Sequence, residues 1–308
     1  MNYRLLKLQF STAVHFGTGG LTTTSNTLMA DTVFSAMCTE AARAGIDPSV
    51  LIDSVIAGEI RISDALPYIG DRFYVPKPLA EITTEKDGDS SVKKALKKLT
   101  YLPVDELDSY LKGSLDIGKE SDILQHGLGQ ECLIEKTAIE ISEKTEPYAI
   151  GLYRYYEGSG LYICLGYETE KEYKLFCDIM KLLSYSGVGG KVSSGYGKFT
   201  IEPANPPSEY IKRLQVEDYE QYMSLSVCLP SPNVIEKVMN SANFRLVKRS
   251  GWISAGSAPD TLRKRRDLYM FAAGSVFSGR FNGSVCDLSD DGAHPVMRYG
   301  CPMFMGVK

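Results

Sequence analysis

Gly187-Val-Gly-Gly-Lys-Val-Ser-Ser-Gly-Tyr-Gly-Lys-Phe199 packs five glycines, two serines, two lysines and a tyrosine into thirteen positions, and it lies where the hydrophobic period changes. Upstream, Tyr173, Phe176, Cys177, Met180 and Leu183 recur at intervals of three and four, which predicts a helix over about 171–183. Downstream, Lys198-Phe-Thr-Ile201 reads as a strand, and Pro203, Pro206 and Pro207 exclude a long helix. The spacing fits neither a P-loop nor a dinucleotide fingerprint. The residue types still suit a polyanion: glycine permits close backbone approach, serine hydroxyls and free N–H groups donate to phosphate oxygens, lysine supplies charge and tyrosine stacks on a base. The bland alternative is a glycine-rich turn with no ligand.

Working outward, Pro147 to Tyr156 and Gly160 to Tyr167 carry strand patterns joined by Glu157-Gly-Ser-Gly160, which predicts a hairpin. At the start of the chain, Tyr3 to Phe10 reads as a strand, Gly17 to Ser25 as a loop rich in Gly, Thr and Ser, and Asp31 as the N-cap of a helix closed by Gly45. The elements follow a β-α-β-β-α-β order, the ferredoxin-like arrangement, in an α+β fold. Residues from about 85 to 146 interrupt it with charge runs such as Lys93-Lys94 and Lys97-Lys98, as expected of a projecting insertion. Beyond the prolines, Tyr222 to Leu229 and Phe244 to Lys248 read as strands and Pro232 to Met239 as a short helix. The expected division is therefore 1–207 and 208–308, two domains being the natural prior for 308 residues.

The composition, 44% hydrophobic and 23% charged, is that of a globular protein. Without a membrane-length apolar run or a secretory leader, the chain is expected in the cytoplasm. Seven scattered cysteines, with no C-x-x-C and no paired histidines, argue for reduced, mostly buried thiols; His126 and His294 share no metal-ligand spacing, so no metal or other cofactor is expected. A net charge of −4 disfavours a generic nucleic-acid binder, yet between Arg245 and Arg266 seven basic residues face one acid. Asp290-Asp291-Gly292 reads as a surface turn.

Several pieces together resemble a known family. Val14-His-Phe-Gly-Thr-Gly-Gly-Leu21 followed by Ala30-Asp-Thr-Val-Phe-Ser-Ala36, the glycine-rich loop, Lys248-Arg-Ser-Gly-Trp252, Arg266 to Phe271 with Gly274 to Phe277, and His294-Pro-Val-Met-Arg-Tyr-Gly300 resemble the RAMP-superfamily subunit that caps the 5′ end of the guide RNA in type III-A (Csm) CRISPR effector complexes. The resemblance runs from end to end and is weakest over 85–146; Trp252 stands where the family pattern has phenylalanine. It implies two RRM-like ferredoxin domains, a thumb-like insertion and no catalytic activity. The expected partners are the 5′ repeat-derived tag of crRNA, the large polymerase-like subunit, the adjacent RAMP backbone subunit and, indirectly, target RNA, with no membrane.

On this reading the RNA-binding residues are His15, Gly17, Gly19 and Gly20 of the first loop, Gly189, Gly190, Lys191, Ser193, Ser194, Gly195, Tyr196 and Lys198 of the second, and Arg249, Ser250, Trp252, Arg263, Arg265 and Arg266 of the basic segment. Each has a plainer alternative: the basic run as a solvated face, Trp252 as core, His15 as a packed loop histidine. A rival function turns on His15, which in related RAMP endoribonucleases acts as general base on a 2′-hydroxyl; Lys191, Lys198 or Tyr196 could then serve the leaving oxygen. That reaction would be metal-independent. A scaffold that touches no RNA is the third possibility.

Overall fold

The computed structural model describes residues 1–80, 82, 94, 96–138, 146–240, 242–251, 265–289 and 295–308. Its main sheet is antiparallel and runs Phe199–Ala204, Asn2–Phe10, Ser159–Tyr167, then Leu66–Ile69, Arg72–Pro76 and Tyr101–Pro103, with Ile60–Ile62 pairing beside the end of Ser159–Tyr167. The helix Ala30–Arg43 crosses from the first strand to Ile60–Ile62, and the helix Glu170–Ser186 crosses from Ser159–Tyr167 to Phe199–Ala204. Thr169 and Glu172 start the second helix with a reciprocal capping box, and Gly187, with φ of 90°, ends it.

Alternation along the central strands sends side chains to two separate cores. Leu6, Leu8, Leu161, Ile163 and Leu165 pack with Phe34, Met37, Phe176 and Met180 of the two helices. Leu5, Tyr162 and Cys164 point the other way, against Tyr210, Leu214, Met223, Leu225, Met305 and Val307. The last hundred residues therefore cover the second face of the sheet, which has no open surface at its centre. They also lock to it through hydrogen bonds: Asp64 Oδ1 accepts from the N–H groups of Ala30 (2.8 Å) and Val227 (3.0 Å), and the Tyr299 hydroxyl oxygen accepts from the Ile62 N–H (2.9 Å).

The strand-helix-strand-strand-helix-strand order is present, but its second strand is 60–69 and not 147–156. Glu146–Tyr155 does not pair with Ser159–Tyr167; it forms a ten-residue ladder with Gly129–Ala138. Both edges of Ser159–Tyr167 are already occupied, by Asn2–Phe10 on one side and by Ile60–Ile62 and Leu66–Ile69 on the other, so no hairpin with the preceding strand can form. The excursion from the core order thus spans all residues between Ile69 and Ser159, wider than 85–146. It includes two sheet strands, the short helices Leu107–Leu111 and Ile117–Gly127, and the long hairpin.

Two smaller expectations change as well. Asp31 is not the N-cap: Met29 holds that position, and Asp31 sits inside the first turn with no exposed surface. The strand expected over 222–229 ends at Ser224, where the chain turns through a Ser224 Oγ bond to the Ser226 carbonyl and continues as isolated bridges at Cys228 and Pro230. Among the described residues the C-terminal part otherwise contains the helices Ser208–Gln215 and Ile235–Met239, a three-stranded sheet (Val276–Phe277, Tyr222–Ser224, Phe304–Gly306) and two ribbons, Leu246–Arg249 with Leu268–Phe271 and Ser284–Asp287 with Met297–Gly300. All seven cysteines are free, but only Cys164, Cys228 and Cys301 are buried; the other four are half-buried.

Candidate nucleic-acid interface

Residues 13–15 form a spine that joins the first glycine loop to the second. On one side Val14 exchanges N–H to carbonyl bonds with Tyr153 of the long hairpin, at 2.8 and 2.9 Å. On the other, the Gly190 N–H donates to the His15 carbonyl (2.8 Å) and the Gly197 N–H donates to the Ala13 carbonyl (2.9 Å). Glycine is required at these contacts. A Cβ on Gly190 would lie 2.7 Å from the His15 ring, one on Gly189 would lie 2.8 Å from the His15 carbonyl oxygen, and one on Gly197 would overlap the Val188 carbonyl. Gly189 and Gly197 also hold φ of 98° and 78°, where any side chain is strained.

Between these anchors the loop turns outward. Val192–Ser194 make one 3-10 turn, capped on each side by a left-handed residue, Lys191 and Gly195. Among the described residues Lys191 is the one non-glycine with positive φ. Gly17, Gly19, Gly20, Ser193, Ser194 and Lys198 are exposed, so backbone, hydroxyls and cations share one rim. Beside it, Lys136 Nζ lies 4.9 Å from the centre of the Tyr196 ring and Lys191 Nζ 5.7 Å from that of Tyr148, over an apolar base of Ala13, Ile150 and Leu152. Lys136 and Tyr148 belong to the hairpin, and sequence reading alone passes over both, because a strand pattern records only that a tyrosine alternates.

His15 is buried, and its Nδ1 donates to the Gly151 carbonyl at 2.7 Å. Nε2 is packed toward Gly17, where a Cβ would lie 3.2 Å from it. The ring is therefore a strut within the loop. Gly151 in turn donates its N–H to the Leu21 carbonyl (3.0 Å), closing the first loop over the hairpin.

Arg249 is half-buried, and its guanidinium is held within the protein. Its Nε and Nη2 form a bidentate pair with both Asp31 oxygens at 2.9 Å, and Nη2 also donates to the Thr32 hydroxyl (2.7 Å). Arg298 Nη1 binds the same carboxylate. Desolvation explains the pairing: Asp31 has no exposed surface and Arg298 is 3% exposed, so each charge needs a partner. Arg265 lies against Gly251, whose carbonyl accepts its N–H at 2.8 Å. Burial, with Arg298 and Arg249 nearby, pushes the Arg265 guanidinium below its usual range. Ser250 and Arg266 are exposed, and Trp252 and Arg263 lie outside the described residues. Of the three expected segments, direct hydrogen bonds bring the His15 loop and the glycine-rich loop together, while Arg249 is bound to the first turn of the helix Ala30–Arg43.

Family models place this arrangement. The model of the RAMP superfamily matches residues 7–200, and that of the CRISPR Csm4 C-terminal domain matches residues 217–307. The CRISPR system Cms protein Csm4 of Mycobacterium tuberculosis is 36% identical over 308 residues, covering 100% of this chain and 98% of that protein. The chain belongs to the Csm4 family. Chains of solved assemblies share its fold: one from a Csm3-Csm4 subcomplex in the type III-A CRISPR-Cas interference complex superposes with a TM-score of 0.67 at 18% identity, over 99% of each chain. A Csm1-Csm4 cassette in complex with pppApA contains one with a TM-score of 0.63 at 20% identity, over 100% of this chain and 98% of the other. Both loops, from His15 to Gly20 and from Gly187 to Lys198, lie inside the RAMP match, and the Arg249 and Arg298 segments lie inside the Csm4 C-terminal match. Among the described residues, no helix is long and apolar enough to cross a membrane.

Proposed function

We propose that this Csm4-family chain is a non-catalytic RNA-binding and scaffolding subunit of a type III-A CRISPR interference complex in the cytoplasm, gripping the 5′ repeat-derived tag of crRNA. The observation that carries this reading is the single rim formed by the two glycine loops, held in place by residues 13–15. Exposed glycine backbone, Ser193, Ser194, Lys191 and Lys198 offer phosphate donors there, and Tyr196 and Tyr148 offer rings. The alternative sheet-face mode of RNA recognition is disfavoured, because the centre of the sheet is buried on both faces.

Binding in the loops supports a role without cleavage. A general base needs its ring at the bound ribose, whereas His15 is enclosed and its Nδ1 is committed to Gly151. The order Phe199–Ala204, Asn2–Phe10, Ser159–Tyr167, Leu66–Ile69 supports a ferredoxin-like N-terminal unit within 1–207, and the two family matches support a division from 208–308. The hairpin Gly129–Ala138 with Glu146–Tyr155 is the thumb of this reading, reaching over RNA toward a neighbouring subunit. Its Leu133 is 62% exposed. The Csm3-Csm4 and Csm1-Csm4 assemblies of the relatives support two protein partners, a backbone RAMP and the large polymerase-like subunit, with target RNA reached only indirectly.

The test is a mobility shift with labelled repeat RNA in EDTA. Lys191→Ala with Lys198→Ala should weaken binding and lower the salt slope by about two counterions, one per lost phosphate contact. Unchanged affinity and slope would show that the rim does not hold RNA. Cleavage of the same RNA, abolished by His15→Ala, would replace this reading with a processing endoribonuclease.

A further inference from the structure

A cleft of about 450 Å³ lies between Tyr3 and the end of the helix Pro48–Ile56 on one side and residues 280–283 and 302–304 on the other. Its walls are of two kinds. Ile56, Phe281, Pro302 and Met303 are apolar, and Ile56 is 58% exposed. Arg61, Arg280 and Asn282 are polar, and none of the described lining residues is acidic.

Both guanidinium groups are anchored without being neutralised. Arg61 Nη1 donates to the carbonyls of Val55 (2.7 Å) and Ile60 (2.9 Å), at the carbonyl end of the helix Pro48–Ile56. Arg280 Nη2 donates to the carbonyls of Leu214 (2.8 Å) and Val216 (3.1 Å), and its guanidinium carbon lies 4.9 Å from the centre of the Tyr222 ring. Carbonyls fix the orientation of a guanidinium but leave its full charge in place. Among the described residues neither arginine pairs with a carboxylate, and Glu168, beside Met1, pairs with that residue's amino group at 3.6 Å. An arginine already held in one orientation loses less entropy when it binds an oxyanion.

Position separates this cleft from the RNA rim. Tyr3 stands near the start of Asn2–Phe10, and residues 13–15, which hold the rim, lie beyond the other end of that strand, roughly 27 Å along it at about 3.4 Å per residue. Two cations among apolar side chains make a poor track for a nucleic-acid backbone, whose affinity grows with the number of phosphates neutralised. They match a protein segment that carries carboxylates beside an apolar residue.

We propose that the cleft docks an acidic segment of the large polymerase-like subunit, its carboxylates accepting from Arg61 and Arg280 and an apolar neighbour covering Ile56. This rests on the reading of the chain as a scaffold with two protein partners. The hairpin assigned to the backbone neighbour lies at the rim, which leaves the opposite end of the sheet to the large subunit.

The full-length chain is titrated with its own large subunit at several salt concentrations. Arg61→Gln with Arg280→Gln should weaken binding about tenfold or more, the worth of a charged hydrogen bond, and flatten its salt dependence. Those changes also remove carbonyl contacts, so Asn282→Asp serves as a second variant: it keeps the side-chain shape and sets a negative charge in the cleft. It should weaken binding as well, with the melting temperature of the free chain unchanged. Binding of the backbone subunit and the mobility shift with repeat RNA should be unaffected in every variant. Undiminished affinity for the large subunit in both variants overturns the docking site. Weakened binding of the backbone subunit in its place overturns the choice of occupant, and a weaker shift with repeat RNA makes the cleft a nucleic-acid site and overturns the proposal. A wild type that binds the large subunit through the cleft yet shifts no repeat RNA upholds the docking site and refutes the RNA-binding reading.

Discussion

His15 Nδ1 lies 2.7 Å from the Gly151 carbonyl oxygen, 136 residues away in sequence, and because a carbonyl only accepts, the ring nitrogen carries the hydrogen. This bond ties the first loop to the long hairpin, while the His15 main-chain carbonyl takes the Gly190 N–H. One residue thus fastens three segments.

His15→Ala should accordingly act on stability before chemistry. Loss of a buried bond and a ring volume should cost about 2–4 kcal/mol in urea unfolding, with His15→Asn, which keeps a donor, intermediate. RNA affinity should fall in the same order. If His15→Ala left stability untouched while changing only RNA turnover, the ring would be a reacting group and the strut assignment would be wrong.

Glycine substitutions separate loop geometry from loop composition. Gly195 has φ of 86° but open space around a Cβ, so Gly195→Ala should cost about 1 kcal/mol of local strain and little RNA affinity. Gly197 has φ of 78° and its Cβ would overlap the Val188 carbonyl, so Gly197→Ala must displace the loop. It should lower RNA affinity about tenfold or more, as the loss of one or two charged contacts would. Equal effects of the two substitutions in the mobility shift would mean that the rim is not preformed.

These residues show how far the sequence could be read. The glycine-rich loop, its preceding helix and the first strand stand out because their periods are clean and the breakers sit at their ends. The second core strand does not: Ile60–Ile62 and Leu66–Ile69 are three and four residues long, and Pro67 masks the second. Glu157-Gly-Ser-Gly160 is a sound turn signal, but strand pairing depends on which edges are already taken, and that is settled by residues about a hundred positions away. The charged, weakly apolar Gly129–Ala138 gives no hint that it is the true partner. Arg249 is the instructive site residue. Its segment stands out by charge, but its carboxylate is 218 positions distant, and a charge run cannot reveal that one member is neutralised from afar.

Asp31 carries that neutralisation for two arginines, with no exposed surface itself. Asp31→Asn should therefore destabilise by about 3–5 kcal/mol, as removal of one partner from a buried ion pair does. The combination with Arg249→Gln should cost less than the sum of the two single changes, because the second removes a charge that the first has orphaned. Additive losses in denaturant unfolding would mean that the pair is not coupled.

Asp64 gives a pH signature of the contact between the two halves. Burial pushes its carboxyl up to about 7 from 3.8, against the pull of the Ala30 and Val227 N–H groups. A carboxyl raised on folding binds its proton more tightly in the folded state than in the unfolded one. Its contribution to stability is thus fully present below about pH 4 and is lost as pH rises through 7, with a slope of up to about 1.4 kcal/mol per pH unit. Other carboxylates add slopes of their own, so the diagnostic quantity is the difference from Asp64→Asn, whose amide oxygen can still accept from both N–H groups while carrying no charge. Urea unfolding from pH 5 to 8 should show the wild type losing stability relative to Asp64→Asn up to about pH 7 and running parallel to it above. Parallel curves over the whole range would place the ionised carboxylate in the folded protein throughout.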